Sequence, residues 1–154
     1  VYDLVADLPA ERLGAIYASL PDGARAALAG SLAQVLHARP QKVPRLPMEM
    51  QVKALRACLK RTRNDELAQE LLGAYFLGPR KDLVVRFLDA TGVEHEDGQV
   101  EGDAAPDEGR VESAVKTLLD EHDTEDVLLY LRIARHQWPK SEAVAKQCEA
   151  LAAR

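Results

Sequence analysis

Branched and aromatic residues are scarce in this chain: two isoleucines, four threonines and 13 valines stand against 24 alanines and 22 leucines, and aromatic residues make up 5%. Strands favour branched and aromatic side chains that pack on a pleated surface, whereas alanine and leucine lose little freedom in a helix, so the shortage argues against a sheet-based fold and for an all-α one. Cysteine is nearly missing too. Cys58 and Cys148 lie 90 positions apart, and neither belongs to a CxxC pair or has a histidine at ligand spacing. No disulfide framework is therefore expected, and both read as reduced core thiols of a cytosolic protein. No apolar run approaches the roughly 18 residues of a membrane span, and no basic start followed by a greasy block opens the chain, so no membrane partner is expected. Phosphate loops (GxxxxGK[ST], GxGxxG) and HExxH are absent, and AGSLA at 29–33 lacks the second glycine and the strand context of a nucleophile elbow. Neither a cofactor nor a catalytic set follows from the residues.

What is present is enough for one ordinary core: 154 residues, 47% apolar, a size that buries roughly 70% of the unfolded surface. Two Leu-Pro starts, Leu8-Pro9 and Leu20-Pro21, each precede an acidic residue and an Ala/Leu-rich run. Proline at the first helical position and a carboxylate near the positive helix end predict helices over 9–19 and 21–38. This cadence, about 25 residues long, is similar to the short helical repeats in the cytoplasmic part of bacterial magnesium transporters, and it fades after residue 38. RPQKVPRLP at 39–47 has three prolines and predicts a stiff linker, within which Pro44 to Pro47 gives a PxxP spacing.

Met48, Val52, Leu55, Cys58 and Leu59 recur at helical spacing and predict an amphipathic helix over 48–63. Asn64 reads as the N-cap of a core helix, LAQELLGAYFL, which Gly78-Pro79 ends; the next runs over about 79–90 and closes at Thr91-Gly92. Further helices are expected over 108–122, over 123–137 with Asp123 or Thr124 as cap, and from about Pro139, with Trp138 plugging a helix junction. The sum is seven to eight short antiparallel helices stacked as helical hairpins in a right-angled or solenoid-like array. They form a single helical domain over 1–154, with sub-bundles 1–91 and 108–154 joined by an acidic loop at 92–107.

That loop contains His95, Glu96 and Asp97, the ingredients of a metal site or an acid–base pair. Adjacent residues in an extended loop point in alternate directions, which works against both. A calcium loop can be fitted with Asp97 first, Gly102 sixth and Glu108 twelfth, yet Gln99, Glu101 and Pro106 depart from that pattern. Glycines at 92, 98, 102 and 109 with many carboxylates read instead as a solvated hinge, so no metal is expected there. His37, His122 and His136 fall near helix C-termini, where the dipole favours a partly positive ring.

Charge supplies the strongest functional signal. Residues 1–90 hold 13 basic and 10 acidic side chains, residues 91–154 hold 7 and 15, and residues 39–63 hold eight Lys or Arg against Glu49 alone. At 100° per residue Lys53, Arg56, Lys60 and Arg63 gather in a stripe beside the apolar face, flanked by Arg61. The stripe reads first as a solvated face or one paired with the acidic second half of this chain or of a neighbouring copy, and the leading functional expectation is a non-enzymatic interaction or scaffold protein of a bacterial-type cytosol that meets a protein partner through a groove between helices or through the stripe. A nucleic-acid-associated protein using the same stripe is the alternative, and a metal-dependent enzyme centred on the HEDG loop comes third.

Overall fold

A computed structural model describes residues 1–62 and 64–154. Among these residues the fold is all-α, with nine α-helices, one 3-10 helix and one two-stranded hairpin. The chain divides into two compact units, Val1–Pro79 and Arg80–Arg154. The division thus falls before the acidic loop, which lies inside the second unit.

The N-terminal unit holds α1 (Tyr2–Ala6), α2 (Ala10–Ser19), α3 (Asp22–Leu36), the 3-10 helix (Pro40–Arg45), α4 (Met48–Thr62) and α5 (Asp65–Phe76). The sequence pattern omits α1, which is a single turn with Val5 as its one buried residue; contact with α5 holds it, and the Tyr2 amide donates to the Asp65 carboxylate at 2.7 Å. Pro9 and Pro21 precede their helices instead of beginning them. Their ψ angles of 149° and 153° are extended, and their carbonyls accept the amides of Leu13 and Arg25. The 39–47 segment is likewise more than a linker. It winds into the 3-10 helix against α3, because its proline-poor positions Lys42 and Leu46 donate the i→i+3 bonds and Val43 is fully buried. Asn64 caps α5 as expected, its side-chain oxygen accepting the Leu67 amide at 3.0 Å. Gly78 is required by close approach: a Cβ there would stand 2.6 Å from the Ala74 carbonyl oxygen.

Leu13 and Ile16 of α2, Leu28 and Leu32 of α3, Leu55 and Leu59 of α4 and Leu67 and Leu71 of α5 are buried in this unit. One polar pair is buried with them. The Tyr17 hydroxyl donates to Gln51 Oε1 at 2.7 Å, and Gln51 Nε2 donates to the Leu46 carbonyl at 2.8 Å, so burying this amide leaves neither end unsatisfied. The bonds join α2 and α4 to the residue that ends the 3-10 helix.

The C-terminal unit holds α6 (Lys81–Thr91), strands β1 (His95–Glu96) and β2 (Gln99–Val100), α7 (Glu108–Glu121), α8 (Thr124–Gln137) and α9 (Glu142–Ala152). Its helices pack α6 on α7, α7 on α9 and α8 on α9. Gly92, at φ 73°, closes α6 as the sequence predicts. The last helix starts three residues beyond Pro139, where Ser141 Oγ accepts the Val144 amide at 3.2 Å. Phe87 is the centre of an aromatic group, edge-on to Tyr130 at 5.3 Å between centroids and tilted against Trp138 at 6.3 Å.

Trp138 does what the sequence suggests and one thing more. Its indole N–H donates to the Ala104 carbonyl at 2.9 Å, tying the end of the acidic segment to the α8–α9 junction. The Trp138→Phe variant keeps the ring and loses the donor, so it is expected to lose about 1 kcal/mol of stability. Amide hydrogen exchange checks it: protection should fall around Glu101 and Asp107 more than within α8.

Candidate functional site

Three places could carry function: the HEDG segment, an acidic recess in the C-terminal unit, and the basic face of α4.

The HEDG segment is a tight hairpin. Asp97 and Gly98 have φ of 53° and 90°, so the two central residues both adopt the left-handed region that matches the twist of paired strands, with His95 opposite Val100 and Glu96 opposite Gln99. Most of the segment is exposed, as composition suggests, but it is a folded turn where a hinge was expected. Gly and carboxylates here build a defined turn, Val93 and Pro106 are buried, and the Asp107 amide donates to the Thr91 carbonyl at 2.9 Å. His95 Nδ1 accepts the Gly98 amide at 3.1 Å, which leaves the proton on Nε2, 2.7 Å from Asp89 Oδ1. Both ring nitrogens are thereby engaged by the chain itself. Asp97 pairs with Lys81 at 3.0 Å, while Glu96 points outward and is exposed. Among the described residues no group of three or more His, Cys, Asp or Glu is placed to hold a metal. The calcium-loop alignment also fails on geometry: its first ligand position is taken by Lys81, and its last, Glu108, accepts from Ser141 and from the Ala143 amide at 2.8 Å. Those two bonds hold the Glu108 carboxyl below the usual carboxylate range and fasten the start of α7 to the start of α9.

The recess is open, about 400 Å³, and lined by Arg80, Asp120, Glu121, His122, Asp123 and Asp126. Its carboxylates are partly answered from within. Arg80 Nε donates to the buried Asp126 at 2.6 Å, and Arg86 holds Glu121 through two bonds of 2.8 and 3.0 Å. Sequence reasoning missed this place. Its one signal was Asp126 itself, a carboxylate one residue before Val127 and four before Tyr130 on the buried side of α8.

On α4 the buried side is Gln51, Ala54, Leu55, Cys58 and Leu59, which turns Lys53, Lys60 and Arg61 fully outward and leaves Arg56 half-buried at the edge. Of the predicted stripe, Lys53, Arg56 and Lys60 therefore share the outer side of one helix; Arg63 lies outside the described residues. Met50, 45% exposed, precedes Lys53 by one turn and adds an apolar contact point. Arg39, Lys42 and Arg45 are exposed on the same unit at the 3-10 helix. A recess of about 280 Å³ beside Ser31, Gln34, Cys58, Arg61 and Asn64 ends the α4 face; burial pushes the Cys58 thiol up, and the Arg61 charge partly offsets this.

Cations without an ion pair among the described residues occur in both units, Lys116, Arg132, Lys140, Lys146 and Arg154 among them in the C-terminal one, but in this unit they gather on α4 and the 3-10 helix. Ion pairs among the described residues take up Arg25, Arg80, Lys81, Arg86, Arg110 and Arg135. None takes up Arg39, Lys42, Arg45, Lys53, Arg56, Lys60 or Arg61. No helix is long and apolar enough to cross a membrane among the described residues. Comparison with protein-family models, curated proteins and solved structures finds no match to this chain.

Proposed function

We propose that this protein is a non-enzymatic interaction module that docks an acidic protein surface on the basic α4 face of its N-terminal unit. The observation that carries the reading is the set of seven uncompensated cations, three of them on one side of α4 next to an exposed methionine. Exposed charges without internal partners cost little to keep hydrated and raise the rate and specificity of meeting an opposite surface. A protein is favoured over nucleic acid because no aromatic side chain lies on the α4 face for bases to stack on, and because the whole chain carries −5. The reading against an enzyme rests on His95, whose two nitrogens are both occupied by the hairpin. Two buried cysteines outside any disulfide suit a reducing cytosol.

The test is fluorescence anisotropy with a labelled oligo-glutamate peptide and, in parallel, a short DNA duplex at low salt. The wild-type chain is expected to bind the peptide, and Lys53→Ala/Arg56→Ala/Lys60→Ala to weaken it roughly tenfold, since each exposed pair contributes about 0.2–1 kcal/mol. The melting temperature should not change. No peptide binding at low salt, or tighter binding of the duplex than of the peptide, would overturn the reading.

A further inference from the structure

We propose that the surface docking on this basic face is a second copy of the chain, which presents the β1–β2 hairpin of its C-terminal unit to Lys53, Arg56 and Lys60. The proposal rests on the reading of α4 as a docking face and names its occupant.

The charge division of the chain is the first argument. Residues 80–154 hold 10 Lys and Arg against 17 Asp and Glu, whereas residues 1–79 hold 10 against 8. Every molecule therefore carries both halves of a complementary pair. A long polyanion, by contrast, would be opposed by the net charge of −5 on the whole chain.

The hairpin supplies the second argument. Strand alternation turns His95 and Val100 inward, half-buried, and Glu94, Glu96 and Glu101 outward, exposed. The Glu101 amide bonds the Glu94 carbonyl at 3.3 Å, so two of these carboxylates stand opposite one another across the strands. Like charges in that position oppose pairing. The hairpin nevertheless holds, through His95 on Asp89, Lys81 on Asp97 and the Trp138 indole on Ala104. None of Glu94, Glu96, Glu101 or Asp103 belongs to an ion pair among the described residues. Unanswered carboxylates on a pinned hairpin are the counterpart of the unanswered cations on α4.

Spacing agrees with charge. Same-side residues of a strand repeat at about 6–7 Å and neighbouring strands lie about 4.8 Å apart. Along α4, Lys53, Arg56 and Lys60 advance by about 4.5 and then 6 Å. Long cationic side chains take up the remaining mismatch, and because the carboxylates are already held on a closed turn, little ordering is lost on contact. The contact joins different patches on the two copies, so it closes into a ring when the rotation between successive copies returns to the first, and otherwise extends.

Sedimentation equilibrium tests this with the whole chain, at about 10 mM and about 0.5 M salt, conditions between which surface charges pass from long-range to screened. Self-association is expected at low salt and its loss, roughly tenfold or more in the apparent Kd, at high salt. Two charge reversals sharpen the test: Glu94→Lys/Glu96→Lys/Glu101→Lys, and Lys53→Glu/Arg56→Glu/Lys60→Glu. Each variant alone should be monomeric, with a helical circular dichroism spectrum like that of the parent, and an equal mixture of the two should associate again. A parent chain that stays monomeric at low salt overturns the proposal, as does a mixture of folded variants that fails to associate. Monomeric protein that still binds oligo-glutamate would remove the second copy while leaving the docking face intact; loss of both would remove the face as well.

Discussion

Replacing Phe87 by alanine is expected to lower the unfolding free energy of the C-terminal unit by about 3–5 kcal/mol, the range for truncating a buried aromatic side chain. Phe87 is 0% exposed on α6 and touches the rings of Tyr130 on α8 and Trp138 at the start of the α8–α9 turn. Removing it opens a cavity between these elements and deprives Tyr130 and Trp138 of their contact with the Phe87 ring. Total domain stabilities run to about 5–15 kcal/mol, so the loss would leave this unit marginal at body temperature. Urea denaturation followed by Trp138 fluorescence reads it directly, since the only tryptophan lies in the affected group. A shift below about 1 kcal/mol would mean that the group is loosely packed.

Asp126→Ala should cost about 2–3 kcal/mol, somewhat below the value for breaking a fully enclosed pair because Arg80 retains access to water. The carboxylate is 1% exposed and accepts from Arg80 Nε at 2.6 Å, while the Arg80 side chain is 35% exposed. Deleting the acid removes this 2.6 Å charge-assisted bond from a partly buried guanidinium at the entrance to α6. The double variant Asp126→Leu/Arg80→Met replaces both charges by apolar side chains and should recover much of the loss, as apolar replacements of buried pairs commonly do. Comparison of the single and double variants by chemical denaturation separates desolvation from packing. Equal losses in the two would show that the ion pair was not the source of the effect.

The helices were legible because their cause is local. Apolar spacing placed α2 to α9 in order, Asn64 and Gly92 marked ends that depend on neighbouring backbone groups, and the burial of Leu55 and Leu59 set the outer side of α4. What sequence could not show was set by partners distant along the chain. The acidic segment looked like a solvated connection because its fixed shape depends on Asp89, Lys81 and Trp138, which lie outside the loop and carry no sign in the sequence of where they reach. The 3-10 helix was hidden for a similar reason: prolines predict extension, and only the burial of Val43 against α3 makes winding favourable. The basic stripe was legible as a periodicity, but that Lys53, Arg56 and Lys60 form no ion pair among the described residues depends on where carboxylates distant along the chain fall.

The two cysteines acquire a use from where they sit. Cys58 belongs to the N-terminal unit and Cys148 to the C-terminal one; both are sheltered, and burial pushes both thiols toward the unreactive protonated form. An alkylating reagent reaches Cys148 when the C-terminal half opens, and Cys58 when its surroundings beside the recess of Ser31 and Arg61 loosen, so the native chain carries a separate clock for each unit. Mass-resolved labelling would then show whether a change such as Phe87→Ala loosens one half alone, without any added probe.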